Sequence, residues 1–141
     1  MAPKAKKIDL ASIDTVKGSN KGFDVNIYHP GTMVDLGITI NVLGKDSDEF
    51  QKVSWAQQKK RMAKMTKGGF RVQSLTPAPE EVEQDGLKLL AKCTRSWSGV
   101  VIDSKDVEFS TDNAVMVYER FPWIKEQVDT AIGDRANFIP S

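Results

Sequence analysis

Two segments of strict apolar and polar alternation, close together near the start of the chain, constrain its fold more than any other feature. In residues 23–28, Phe23, Val25 and Ile27 fall on one side and Asp24 and Asn26 on the other. Residues 36–43 repeat the pattern, with Ile38, Ile40 and Val42 set against Thr39 and Asn41. A period of two sends successive side chains to opposite faces, so each segment is expected to be a strand with one face buried. Between them stands His29-Pro30-Gly31. Proline offers no amide donor and glycine tolerates a left-handed backbone, so the arms are expected to fold back as an antiparallel hairpin.

After Gly44 the period changes. Asp46-Ser47-Asp48-Glu49 sets an acceptor side chain three residues before an acid, a capping-box-like start, and predicts a helix running to about Met65. Its apolar spacing is interrupted by Gln57-Gln58-Lys59-Lys60-Arg61, so part of it is expected to be wet. Gly68-Gly69 ends it, and the stretch through Pro77 to Pro79 reads as a connector, which puts the one subdomain break the sequence allows at 67–79. A second helix opens at Pro79-Glu80-Glu81 and carries Val82, Leu89, Leu90, Cys93 and Trp97 near helical spacing. Residues 100–102 and 107–109 then predict short extended pieces around the turn Asp103-Ser104-Lys105-Asp106. Ser110 or Thr111 caps the next helix, which stops near Pro122; the last carries Ile124, Val128 and Ile132 in an i, i+4, i+8 row.

The expected class is α+β, with a small N-terminal antiparallel β unit followed by a mainly helical C-terminal part with a short β hairpin. Residues 1–21 hold Lys4, Lys6, Lys7, Lys17 and Lys21 with few large apolar groups, and are expected to be a flexible basic tail. Residues 22–141 are expected to be a single domain, since 141 residues sit in the usual size range of one.

Charge and residue inventory narrow the function. Twenty basic residues balance nineteen acidic ones, giving a formal charge of +1, too little for a protein whose main partner is a phosphate backbone. Lys59, Lys60, Arg61, Lys64 and Lys67 read as the wet, dipole-matched end of a helix rather than a nucleic-acid stripe. No apolar run approaches the ~20 residues that span a bilayer, and the basic start does not lead into a signal-peptide apolar region, so the cytoplasm is expected and a membrane is not. His29 and Cys93 are the single histidine and the single cysteine, sixty-four positions apart, which argues against a catalytic triad and a transition-metal site. Glu80-Glu81 and Asp103/Asp106 have ordinary places as a helix start and a turn, and no phosphate loop, dinucleotide fingerprint or nucleophile elbow occurs. No enzyme, cofactor or metal is expected.

Binding is left, and aromatic side chains are its usual anchors. Trp97, Phe109, Tyr118, Phe121, Trp123 and Phe138 gather in the last third of the chain, where most should be core. The residues nominated for protein binding are Trp97, Phe121, Trp123, Phe138 and Ile139, the last two in a C-terminal Phe138-Ile139-Pro140 expected to be exposed.

An ordered series runs through this same part of the chain. Leu89-Leu90-Ala91 is followed by Trp97-Ser98-Gly99-Val100, Val107-Glu108-Phe109-Ser110, Asn113-Ala114, Phe121-Pro122-Trp123-Ile124, Gln127-Val128 and Arg135-Ala136-Asn137-Phe138. The series resembles that of tail assembly chaperones of long-tailed bacteriophages, over residues 80–139 and more loosely over the strands before them. The resemblance implies a non-enzymatic protein of the infected cell's cytoplasm. It would bind the tape measure protein, keep it soluble while tail tube protein polymerises around it, and be absent from the mature virion. It also implies two further partners, the tail tube protein and a frameshifted longer form of the same protein; a homo-oligomer is a separate expectation. The other readings are a structural virion protein for tail or head completion and, behind it, a nucleic-acid-binding regulator.

Overall fold

The computed structural model describes residues 7–67 and 79–139. The architecture is α+β: a three-stranded antiparallel sheet packs against helices, and a separate two-stranded hairpin stands beside it. Strand β1 is Phe23–Tyr28 and β2 is Asp35–Val42, paired so that Phe23 faces Val42, Val25 faces Ile40 and Ile27 faces Ile38. The alternation read from the sequence is therefore the sheet's inner face, with Val25, Ile27, Ile40 and Val42 buried. His29 is exposed and organises the turn: its Nδ1 accepts from the backbone N–H of Gly31 at 3.0 Å and of Thr32 at 3.1 Å.

The third strand was not foreseen. Helix α3, Pro79–Cys93, ends four residues short of Trp97, and Thr94–Ser98 becomes strand β3, pairing with β2 so that Ile40 faces Trp97 and Asn41 faces Ser96. The physical reason lies on both sides of the switch. The free edge of β2 needs partners for its backbone groups, and the Thr94 hydroxyl closes the helix by donating to the Leu90 carbonyl at 2.8 Å. Tyr118 Oη lies 2.7 Å from Thr94 Oγ1 and donates to it, since the threonine proton is already spent on Leu90. Burial pushes the Tyr118 phenol up to about 12.

The expected tail is corrected over part of its length. A single 3₁₀ turn, Leu10–Ile13, leads into helix α1, Thr15–Lys21, capped by Asp14, whose side chain accepts from Lys17 N–H at 3.1 Å. Gly18 and Ser19 are buried. Few large apolar groups were needed to hold this segment, because backbone does the holding: Gly44 N–H donates to Ser19 carbonyl at 3.1 Å and Arg95 Nη1 to Lys21 carbonyl at 3.0 Å. A Cβ on Gly18 would overlap the carbonyl group of Phe138, so glycine is what permits this close approach. Residues 1–6 of the expected tail, and the 68–78 part of the expected break, lie outside the described residues.

The helices follow their sequence signals closely. Helix α2, Asp48–Lys67, starts at Ser47, whose Oγ accepts from Phe50 N–H at 3.2 Å. Asp46, read as part of that start, instead forms a clamp: Arg135 donates to it through Nε at 2.7 Å and Nη2 at 3.0 Å, and Thr15 Oγ1 at 2.7 Å. Strands β4 (Val101–Ile102) and β5 (Lys105–Asp106) meet at Asp103 and Ser104, whose φ values of 51° and 65° are those of a tight hairpin turn. Ser110 caps α4, Thr111–Arg120, accepting from Asn113 N–H at 3.0 Å; helix α5, Pro122–Gly133, buries Ile124, Val128, Ala131 and Ile132. A 3₁₀ turn, Arg135–Phe138, closes the described chain and packs back on α1.

Candidate functional site

Pro122 makes the most distinctive surface of the molecule. It cannot continue α4, yet suits the first position of α5, so the chain turns sharply with Phe121 N–H donating to the Val117 carbonyl at 2.8 Å. The turn brings Phe121 and Trp123 together, ring centroids 6.1 Å apart and planes at 70°, an edge-to-face pair. The Arg120 guanidinium lies over the Phe121 ring, 5.2 Å from its centroid.

These two rings line an apolar groove of about 340 Å³ with Leu36 and Ile38 of β2 and Val100, Val101 and Ile102 at the hairpin. Trp123 also lines a second groove of about 560 Å³, beside Tyr28, Pro30 and Met33. The tryptophan thus joins two depressions into one surface, with Met33 67% and Val101 55% exposed at its borders. Gln127 covers the adjoining sheet edge as a strand would: its side-chain oxygen accepts from Tyr28 N–H and its amide donates to Tyr28 carbonyl, both at 2.9 Å.

The nominated residues divide. Phe121 and Trp123 belong to this surface. Trp97 is half-buried and committed elsewhere, its indole N–H donating to the Val107 carbonyl at 2.8 Å and its ring meeting Phe109 edge-on at 5.2 Å. Phe138, expected to be exposed, is 2% exposed, packed edge-to-face on Phe23 at 5.9 Å with Gly18 and Gly44 against it. It is a core residue sealing α1 to the sheet. Ile139 is exposed but borders a different depression, with Lys17 and Lys21 of α1. Pro140 lies outside the described residues. Met33, Leu36 and Val101 were missed; the available signal was Met33-Val34, an apolar pair where a hairpin loop is ordinarily polar.

Among the described residues no group of three or more His, Cys, Asp or Glu side chains comes together to hold a metal ion. Cys93 is buried, and burial, with a smaller push from the charge of Glu49, raises its thiol to about 12, so the nucleophilic thiolate is scarce. No helix among the described residues is long and apolar enough to cross a membrane. What the Trp123 surface can do is take up apolar side chains of a partner. No protein-family model, curated protein or solved structure matches this chain.

Proposed function

We propose that the protein is a tail assembly chaperone, a non-catalytic binder of the tape measure protein that keeps this client soluble in the host cytoplasm and leaves before the virion is complete. The observation that carries the reading is the open apolar surface joined at Trp123, within the segment Phe121-Pro122-Trp123-Ile124 where the sequence resembles that family. A long helical client exposes apolar stripes that aggregate in water, and a small domain with an exposed apolar groove shields them by binding alone.

Coexpression with the tape measure protein of the same genome tests this. The wild-type chain raises the client's soluble yield; a Met33→Asp/Val101→Asp variant, altered at two exposed positions, stays folded and loses the effect. An unchanged client yield with the wild-type chain, or stoichiometric presence of the protein in purified particles, overturns the reading.

A further inference from the structure

A second depression is built from other residues and has a different character. Helix α2 is held against α3 by polar contacts: Gln57 Nε2 donates to the Asp85 carbonyl at 2.8 Å, Arg61 Nη2 to the Asp85 carboxylate at 2.9 Å and Lys64 Nζ to Glu81 at 2.7 Å. Between these helices and the start of α4 lies a groove of about 590 Å³, sharing no lining residue with the two grooves that meet at Trp123. Val53, Ala56 and Val115 give it an aliphatic floor, and Lys52 and Lys60 of α2 and Lys88 and Lys92 of α3 line it from two sides.

Those four lysines are exposed, and none forms an ion pair among the described residues. Two carboxylates face the same space. Asp85 is already taken by Arg61, and Asp112 sits in the first turn of α4, where an acid is favourable without any ligand. In a chain of formal charge +1 this excess of four lysines over one unpaired carboxylate is local. Lys52 and Lys60 are two turns apart, about 12 Å along the helix at 1.5 Å per residue, and Lys88 and Lys92 one turn apart. A compact anion cannot reach all four; an extended acidic ligand can. The lining holds no aromatic ring or arginine to stack a base or fork a phosphate, whereas its aliphatic floor accepts apolar side chains.

We infer that this groove binds an acidic amphipathic segment of a partner protein, apolar side chains on Val53, Ala56 and Val115 and carboxylates on the four lysines. The site is independent of the client surface at Trp123, and neither depends on the other.

A selection of displayed helical peptides on the intact protein tests it. Enriched peptides are expected to be acidic, with apolar residues at i, i+3 and i+4 spacing, and to bind more weakly as salt is raised. Affinity for the best of them should fall at least about tenfold in the Lys52→Glu/Lys60→Glu/Lys88→Glu/Lys92→Glu variant. It should also fall in Ala56→Trp, which fills the groove without changing charge. Both variants change exposed residues, so thermal melts by circular dichroism should match the parent protein. Enrichment of neutral or basic peptides, no enrichment, or equal binding to the variants overturns the inference. So does a single-stranded oligonucleotide that binds more tightly than the peptides and is lost in the lysine variant, which assigns the groove to nucleic acid.

Discussion

Helices α2 and α5 are held in place by opposite means. The shorter one, Pro122–Gly133, buries four residues on one stripe; the longer, Asp48–Lys67, buries none among residues 48–64 and leaves Trp55 66% exposed. Burial holds α5, whereas α2 is tied down by a serine cap and by Gln57, Arg61 and Lys64 reaching to α3. Length and aromatic content are therefore poor guides to which helix carries the core; the spacing of the apolar positions is the guide. The lysine-lined groove lies along the wet flank of α2, and the exposed face of α3, opposite that helix's buried stripe, supplies its other two lysines.

Substitutions should reproduce this ranking. The largest effect is expected at Ile132, 1% exposed in α5, where Ile132→Ala loses packing and leaves a cavity; urea unfolding should show a loss of about 2–5 kcal/mol. Arg61→Ala comes next. It strands the Asp85 carboxylate, whose side chain is 9% exposed, but Arg61 is itself 32% exposed and its buried Nε has no acceptor, so a loss of about 1–2 kcal/mol is expected by the same measurement.

A smaller, pH-dependent effect is expected at the clamp, which ties the turn before α2 to the 3₁₀ turn after α5. The Arg135 hydrogen bond, then that from Thr15, lowers the Asp46 carboxyl from 3.8 to about 2. The unfolded chain takes up this proton first as acid is added, so the clamp's contribution is full above pH 3.8 and disappears as pH falls through about 2. Arg135→Ala should flatten that part of the stability profile, which acid titration of the urea midpoint would read. The smallest effect is expected at Trp55. Trp55→Ala should shift stability by no more than about 0.5 kcal/mol, and a loss comparable to that of Ile132→Ala would erase the contrast between the helices.

How far the sequence could be read depended on whether a signal was local. The inner faces of β1 and β2, the row Ile124, Val128 and Ile132, and the cap at Ser110 were legible, because each is a periodicity or a cap closed within a few residues. Trp97 was misplaced because it fits helical spacing from Cys93; the unpaired edge of β2, which draws residues 94–98 into a strand, is distant in sequence. Residues 15–21 looked like a tail because what holds them lies in Gly44, Arg95 and the turn at Phe138. Phe138 carried every mark of an exposed anchor except its neighbours, two glycines and Phe23.

The sequence alone thus determined the α+β class and the two apolar faces, since alternation and i, i+4 spacing are set residue by residue along the backbone. It also put Phe121 and Trp123 on either side of a helix-breaking proline. Only the tertiary structure decided that these two rings remain open at a groove while Phe138 is sealed in the core. Burial is a property of what packs across the chain, and Gly18 and Gly44 reach Phe138 from more than ninety residues away. The lysine-lined groove has the same origin: its four lysines come in pairs from two helices, and their shared field exists because α2 and α3 are brought side by side.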